Sequence, residues 1–182
     1  TMPTTIEICK AIKREIPTQF VFVWGGHPTV LPERTKAETG ADQIILGTDF
    51  GCDVRQIPMV DWKRIDPTKY RAHNWHCFGN LDNRSPYATV WTSLGCPYQC
   101  EFCCINNIFG GHCYVQRPVR DVISEIDFLV KKYDVRHIKI MDELFVSNNH
   151  KRVQDFCDAL IRRRYNLNMW CFARVDTVNP HI

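Results

Sequence analysis

Three cysteines with a close spacing are the residues of this sequence best suited to chemistry. Cys96, Cys100 and Cys103 form a C-x3-C-x2-C pattern within the run GCPYQCEFC. A 4Fe-4S cluster is normally held by four thiolates, one for each iron. Three thiolates would leave one iron open to a substrate or cofactor, and an open position is what separates catalytic from structural metal sites. The spacing therefore predicts an iron–sulfur reaction centre.

The same cysteines leave two other metal sites open. Zinc knuckles more often use C-x2-C pairs with a distant second pair or a histidine, and a four-cysteine electron-transfer cluster also needs a fourth ligand. That ligand could come from Cys104, His112 or Cys113. Either site would make the chain a non-catalytic iron–sulfur or zinc-binding module. We expect Cys104 and Cys113 to be unligated instead.

The composition excludes several classes of protein. The 182 residues are 45% hydrophobic and 24% charged, which argues against disorder and against a fibrous repeat. The formal net charge is +3 with scattered basic residues, so no nucleic-acid partner is expected. Apolar runs are far shorter than the roughly 18 residues that span a bilayer, and no secretory signal is visible. Five of the ten cysteines lie between Cys96 and Cys113, which favours metal ligation in the reducing cytoplasm over disulfides.

The first fifty residues show an αβαβ pattern. It predicts, in order, a helix over 5–15 stopped by Pro17, a buried strand over 20–24, a tight turn at Gly25 and Gly26, a helix over 32–39 closed by Gly40, and a strand over 43–46. This alternation favours parallel α/β pairing. Residues 51–87 contain several prolines, and we expect them to form a linker with little regular structure.

From residue 88 the α/β alternation returns. It predicts strands over 88–94, 137–141 and 169–174 and helices over 119–132 and 151–164, with the cysteine loop after the first strand. The buried side of the last helix is predicted to hold Val153, Phe156, Cys157, Leu160 and Ile161. We also expect Cys9, Cys157 and Cys171 to be buried small hydrophobic residues. Three parallel strands cannot close a barrel, so the chain is expected to be a fragment that carries the first half of a larger one.

The cysteine run resembles the motif of the radical S-adenosylmethionine (SAM) enzymes, in which an aromatic residue precedes the last cysteine. Phe102 fills that place. The resemblance implies that Cys96, Cys100 and Cys103 hold a 4Fe-4S cluster whose open iron chelates SAM, with Phe102 near the adenine. It also implies reductive cleavage of SAM to a 5′-deoxyadenosyl radical, and an incomplete (βα)6 barrel over residues 88–182.

Charged residues follow the second and third predicted barrel strands, at the edge where parallel barrels carry their active sites. In the resembled family, the end of the second strand carries a Gly-Gly-Glu-like run that receives SAM; here the residues are Met141, Asp142 and Glu143. The resemblance implies SAM contacts from Asp142, Glu143 and Arg174. Alternatively, Asp142 or Glu143 caps backbone amides, and Arg174 pairs with Asp142 or Asp176.

The segment Gly25-Gly26-His27 resembles a turn of the subgroup in which a cobalamin-binding domain precedes the barrel. There a Gly-Gly turn faces the nucleotide tail of cobalamin. The resemblance implies that residues 1–50 are the C-terminal part of a Rossmann-like cobalamin-binding α/β domain, with contacts from Gly25, Gly26 and His27. His27 is not assigned as a cobalt ligand. A tight turn with a polar cap is the alternative.

A second group of candidate ligands lies in the linker. His73, His76 and Cys77 could hold another metal ion, but they lack an evident fourth ligand. We expect residues 70–78 to pack between the two domains and to line a substrate cavity instead.

The resemblance as a whole implies a cobalamin-dependent radical SAM methyltransferase acting on an unactivated carbon, of which this fragment alone is inactive. Radical cyclisation, radical rearrangement and a radical SAM enzyme without cobalamin remain alternatives. The implied cofactors are a 4Fe-4S cluster, SAM and cobalamin. The implied partners are a small-molecule or natural-product substrate and an electron donor such as flavodoxin or ferredoxin, with neither nucleic acid nor a membrane.

Overall fold

Helices and strands alternate along most of the chain, giving a mixed α/β fold. The computed structural model describes residues 2–47, 54–56, 58–76, 82–109 and 111–179. Six helices are described: α1 (Met2–Glu15), α2 (Gly26–Val30), α3 (Pro32–Thr39), α4 (Ile105–Ile108), α5 (Val119–Tyr133) and α6 (His150–Arg163). Seven strands are described: β1 (Phe22–Trp24), β2 (Gln43–Ile45), β3 (Tyr87–Val90), β4 (Ser93–Gly95), β5 (Tyr114–Gln116), β6 (His137–Ile140) and β7 (Asn168–Trp170).

Two compact units divide these elements. Unit one comprises the described residues of 1–52 together with those of 95–113, and unit two comprises the described residues of 53–94 and 114–182. The cysteine loop therefore groups with the N-terminal segment, although it lies within the C-terminal part of the sequence. Strands β4 and β5, which precede and follow the cysteine loop in the sequence, pair with each other.

Unit one contains the predicted αβαβ order. Strands β1 and β2 pair in parallel, with Val23 opposite Ile44. Helix α3 begins at Pro32 and ends at Gly40, whose φ of 68° lies in the left-handed region that favours glycine. A small core joins the buried Cys9 of α1 to Val21, Val23 and Ala41. The predictions for α1, α3, β2 and Cys9 are thus confirmed.

Strand β1 differs from its predicted burial. Val21 and Val23 point into the small core, but Phe20, Phe22 and Trp24 are exposed. Successive strand side chains point to opposite faces of the sheet, and the core of unit one covers only one of them. The apolar run therefore forms a half-exposed strand. The predicted tight turn after it is instead the start of helix α2.

Unit two is built on a three-stranded parallel sheet in the order β3-β6-β7. Ala88 lies opposite Ile138, and Ile138 lies opposite Met169. Apolar side chains from this face of the sheet join those of α5 and α6 in one core, which includes the fully buried Ile126 and Phe156. The three predicted parallel strands and both predicted helices are confirmed. Helices α5 and α6 end at Asp134 and Arg164, each in the left-handed conformation.

Two strand boundaries in unit two are corrected by the structure. The strand predicted over 88–94 is interrupted at Trp91 and Thr92, so that β3 and β4 belong to different sheets. The strand predicted over 169–174 ends at Trp170, after which only Ala173 makes an isolated parallel bridge to Val146. Both differences follow from hydrogen bonding, because the apolar pattern extends beyond the residues that find a partner strand.

Helix α6 is rotated about its axis relative to the prediction, so that a different set of side chains is buried. Val153 and Phe156 are buried as predicted and Leu160 is half-buried, but Cys157 and Ile161 are exposed and Arg152 and Ala159 are buried instead. An amphipathic helix contacts its core along one stripe, and here that stripe contains a charged side chain. The prediction that Cys157 is buried is therefore wrong, whereas Cys171 is half-buried against the core.

The described part of the predicted linker contains three short 3-10 turns, at Val54–Gln56, Pro67–Lys69 and Asn74–His76, and ends with Tyr87, the first residue of β3. It also contributes to the core, because Trp62 is buried and its Nε1 donates a 2.9 Å hydrogen bond to Glu125 of α5. Cys77 lies outside the described residues, as do 48–53. In the ranges described, no helix is long and apolar enough to cross a bilayer.

The rotation of α6 leads to a matched pair of substitutions. We expect Phe156→Ala to lower the free energy of unfolding by about 3–5 kcal/mol, because Phe156 lies on α6 and is buried in the core. Ile161→Ala should change it by less than about 0.5 kcal/mol, because that side chain is 71% exposed. Urea denaturation checks both values. Equal losses would contradict the observed orientation of α6 and restore the predicted one.

Candidate functional site

The cysteine loop begins at the end of β4 and carries three free thiols within eight residues. Gly95 precedes Cys96 with a φ of 79°, a conformation that disfavours any other residue at the start of the loop. Cys96 and Cys100 are half-buried and Cys103 is exposed. The backbone turns between the last two cysteines, where Cys103 N donates a 2.9 Å hydrogen bond to Cys100 O.

These thiols fit an iron–sulfur cluster by their chemistry and access. Sulfur donors suit such clusters, and all three side chains reach the surface. As placed, however, no three or more His, Cys, Asp or Glu residues in the described ranges form a group ready to hold a metal ion. Cluster binding would therefore require the three thiols to move together around the metal. Phe102 is 94% exposed beside the last cysteine.

Two further cysteines in or near the loop are not part of this turn. Cys104 is exposed and precedes α4 as its N-cap residue, and Cys113 is half-buried just before β5. His112, the other candidate fourth ligand, contacts Gln99 through their side chains. Within the described residues, neither the three motif thiols nor these further side chains form a group placed to hold a metal ion.

Asp142 follows β6 and is almost completely buried. Its Oδ1 accepts a 2.6 Å hydrogen bond from Thr92 N, and its Oδ2 accepts hydrogen bonds from the hydroxyls of Thr92 and Ser93. Hydrogen bonds to a charged acceptor are about twice as strong as neutral ones. The carboxylate therefore fixes the backbone that joins β3 to β4, at Thr92, four residues before Cys96. This is the amide-capping role left open by the sequence.

Arg152 of α6 supports the same backbone from the other side. Its guanidinium donates to Thr92 O at 2.9 Å and to Arg117 O at 3.0 Å. Thr92 precedes the cysteine loop and Arg117 follows it, so one buried side chain links both ends of the loop. Burial lowers the pKa of Arg152, and the negative charge of Asp142 opposes that change.

A second buried pair extends this network into the core. Arg117 donates to Trp91 O at 2.7 Å and forms a 2.9 Å ion pair with Glu125, which also accepts the Trp62 hydrogen bond. Sequence reasoning did not identify Thr92, Ser93, Arg117, Arg152 or Glu125. The signal available was the Thr-Ser pair directly before the loop, because hydroxyls at a strand end need acceptors when buried.

The other two predicted SAM-binding residues are nearer solvent. Glu143 is exposed, yet its pKa is raised, first by partial desolvation and then by the negative charge of Asp142. Arg174 forms a bidentate contact with Asp176, with nitrogen–oxygen distances of 2.9 and 2.7 Å. That hydrogen bonding is the main reason why the pKa of Asp176 is lowered. The pairing matches one of the two alternatives left open for Arg174.

The predicted cobalamin-binding residues lie at the start of α2 in unit one. Gly25 has a φ of 120° and open space where a side chain would be, so a ligand can approach its backbone. The Nδ1 atom of His27 is buried without a hydrogen-bond partner in the structure. An orphaned polar atom beside an open glycine fits a polar ligand group. Gly26 differs, because a Cβ there would lie 3.2 Å from Cδ1 of Ile108 in α4.

Comparison with known proteins yields three curated relatives, while no family model matches the chain. An uncharacterized methyltransferase of Pyrococcus horikoshii is 28% identical over 134 residues, which are 71% of this chain and 26% of the relative. Hopanoid C-2 methylase of Rhodopseudomonas palustris is 23% identical over 74% of this chain and 23% of its own length. Anaerobic magnesium-protoporphyrin IX monomethyl ester cyclase of Rubrivivax gelatinosus is 29% identical over 58% of this chain and 18% of its own.

The three sequence relatives are thus named as a methyltransferase, a methylase and a cyclase. The fold is similar to that of the radical SAM methyltransferase TsrM of Kitasatospora setae, which covers 94% of this chain with a TM-score of 0.64 and 16% identity. One TsrM structure holds tryptophan and the SAM analogue aza-SAM, and another holds cobalamin and a [4Fe-4S] cluster. This chain spans 40% of TsrM and about a quarter of the first curated relative.

The buried hydrogen bonds of Asp142 lead to a stability prediction for the metal-free chain. Asp142→Asn should lower the free energy of unfolding by about 3 kcal/mol, because the amide cannot accept all three hydrogen bonds and brings an NH2 group towards donors. Asp155→Asn, which breaks an exposed pair with Lys151, should cost less than about 0.5 kcal/mol. Urea denaturation without SAM measures both. If the two variants were equally stable, Asp142 would not have this structural role.

The pKa shifts of Glu143 and Asp176 predict opposite dependences on pH. A raised carboxyl pKa means that the folded state loses stability as pH rises through that pKa, so Glu143→Gln should be more stable than the original chain at neutral pH. A lowered pKa has the reverse effect, so Asp176→Asn should be less stable there. Both differences should vanish at acidic pH, where the carboxyl groups are protonated in the folded and unfolded states alike. Unfolding measured over a pH series tests the signs, and equal signs would contradict the described surroundings.

Proposed function

We propose that this chain is part of a cobalamin-dependent radical SAM methyltransferase that acts on an unactivated carbon. The observation that carries the proposal is the C-x3-C-x2-C loop at the end of a strand, in a fold similar to TsrM and in a sequence similar to two named methylases or methyltransferases. The proposed organisation is a cobalamin-binding-like segment over 1–50, a linker over 51–87 and half of a radical SAM barrel over 88–182.

Cys96, Cys100 and Cys103 are the proposed ligands of the 4Fe-4S cluster. Reductive cleavage of SAM to methionine and a 5′-deoxyadenosyl radical is the chemistry that such a cluster supplies when bound. The three thiols share one short loop, and their exposure leaves room for metal and for SAM. Phe102 presents a fully accessible ring next to Cys103, which supports the proposed contact with adenine.

Glu143 is the better candidate of the two carboxylates for direct contact with SAM. Its exposed side chain can accept hydrogen bonds from an ammonium or a ribose. Asp142 would have an indirect, structural role, because its oxygens already accept hydrogen bonds from Thr92 and Ser93. Arg174 would release the carboxylate of Asp176 and bind the carboxylate of SAM in its place, since the two carboxylates present the same planar pair of oxygens.

Gly25, Gly26 and His27 are the proposed contacts for cobalamin, which supplies the methyl group in this chemistry when bound. The open backbone of Gly25 and the orphaned Nδ1 of His27 support a ligand at this turn. Gly26 would contribute indirectly, by letting α2 approach Ile108 of α4. The Thr29 hydroxyl strengthens the turn, because it donates to Gly25 O and accepts from Gly47 N.

A radical cyclase or rearrangement enzyme is the second candidate, because one relative is named a cyclase. A methylated product would distinguish methylation from it. In either case we propose a small-molecule substrate, a flavodoxin or ferredoxin as electron donor, and a cytoplasmic location.

The cluster assignment is tested by single cysteine variants prepared without oxygen. Cys96→Ala, Cys100→Ala and Cys103→Ala should each lose most of the iron, whereas the matched controls Cys104→Ala and Cys113→Ala should keep about four irons per chain. Iron, sulfide and zinc analysis gives the counts. EPR spectra of the reduced protein, recorded with and without SAM, show whether one iron is open.

Three results would contradict the proposal. Stoichiometric zinc would indicate a structural metal site. Loss of the metal from Cys104→Ala or Cys113→Ala would indicate a fourth protein ligand. A four-iron signal that SAM does not change, in protein shown to be folded, would indicate an electron-transfer cluster.

A further inference from the structure

The three-stranded sheet of unit two has two unlike faces. One face carries Ala88, Ile138 and Met169 into the core beneath α5 and α6. Side chains alternate along each strand, so the residues between these point the other way. We call this opposite side the Lys139 face and define it by six residues: Tyr87, Thr89, His137, Lys139, Asn168 and Trp170.

The register arranges the Lys139 face in two rows. Tyr87, His137 and Asn168 are opposite one another in the first row, and Thr89, Lys139 and Trp170 are opposite one another in the second. Lys139 lies on the middle strand and its ammonium is the only side-chain ammonium among the six. None of the six is acidic. The face therefore combines one central positive charge with aromatic and neutral polar neighbours.

The ammonium of Lys139 contacts two aromatic rings. Its Nζ lies 4.7 Å from the ring centre of Trp170 and 5.5 Å from that of Phe172. Within the part of the chain that the structure describes, no carboxylate lies within ion-pairing distance of this ammonium, in contrast to Lys13 and Lys151. Cation–π contacts orient an ammonium but do not neutralise it.

Ring and amide contacts organise the surroundings of Lys139. The ring of His76 lies 4.6 Å from that of Trp170. The pKa of His76 is lowered, first by burial and then by the positive charges of Lys139 and His73. Asn168 joins the rows to the linker, because its Nδ2 donates to His76 O and lies 3.1 Å from Nδ1 of His137. The linker thus forms part of this site.

We propose that the Lys139 face binds the anionic group of the substrate, a carboxylate or a phosphate, while a flat apolar ring of the same molecule contacts Phe172 and Trp170. The ammonium supplies the charge that such a group requires, and Phe172 is 44% exposed beside it. The inference rests on the proposed function, because it takes this face as the substrate side of the enzyme.

Binding of three naphthalene probes tests the inference. The probes are 2-naphthoate, 2-naphthyl phosphate and the neutral 2-naphthamide. The side-chain N–H signals of the five tryptophans are followed by NMR in the folded, metal-free chain, and Trp170→Phe identifies the signal of Trp170. We expect the two anions to shift that signal and the amide to leave it in place. The tighter of the two anions identifies the carboxylate or phosphate class.

Substitutions of Lys139 separate charge from shape. Lys139→Met should weaken binding of the anions by about tenfold or more, the loss of one charge-assisted hydrogen bond, and Lys139→Arg should keep it within about threefold. Lys151→Met, which removes an exposed lysine of α6, should change it by less than about twofold. Equal binding of amide and acid, an unchanged affinity in Lys139→Met, or no shift of the Trp170 signal in folded protein would overturn the inference.

These outcomes can be separated from those of the proposed function. The titration needs neither cluster nor SAM. If the protein binds the anionic probes through Lys139 but holds no SAM-responsive cluster, the proposed reaction is contradicted and the proposed anion site is supported. If the protein holds such a cluster but does not bind the anionic probes, only the proposed substrate class is contradicted.

Discussion

The candidate site depends on the hydrogen bonds that the buried carboxylate of Asp142 accepts. It accepts hydrogen bonds from the backbone and hydroxyl of Thr92 and from the hydroxyl of Ser93, at the break between β3 and β4. Because Asp142 itself follows the central strand β6, it joins two neighbouring strand ends through side-chain contacts. The cysteine loop starts directly after this junction, so its first residue leaves from a fixed point.

Burying charges at this position is costly, so a network in which both charges have hydrogen-bond partners needs a physical reason. Removing a carboxylate and a guanidinium from water costs several kcal/mol for each ion, and only well-placed partners offset that cost. Asp142 has three donors, and Arg152 has the carbonyls of Thr92 and Arg117. An apolar cluster of similar volume could stabilise the core equally well, but it would not specify the direction in which the backbone enters and leaves the loop.

The sequence was sufficient to predict those elements whose hydrophobic pattern fits only one type of secondary structure. The apolar period of α5 and the short apolar run of β6 identified both elements. It was insufficient where burial depends on the partner element. Phe22 and Trp24 resemble core residues until the packing of β1 is known, and Arg152 resembles a surface arginine until Thr92 is placed beside it. Asp142 was found as a candidate, but its hydrogen bonds cross 50 residues of sequence and no local pattern reveals them.

The two ends of the cysteine loop and its interior are stabilised by different means. Thr92 and Arg117 are held by buried side chains that need no metal, whereas the motif cysteines remain half-buried or exposed. Ordering the eight residues from Cys96 to Cys103 around a metal would cost about 1–2 kcal/mol of backbone entropy for each residue, or about 8–16 kcal/mol in all. Apparent binding free energies of structural zinc sites are about 10–16 kcal/mol, and these values already include the cost of ordering the peptide that binds the metal. Because buried side chains hold Thr92 and Arg117 without a metal, metal binding would have to order only residues between them.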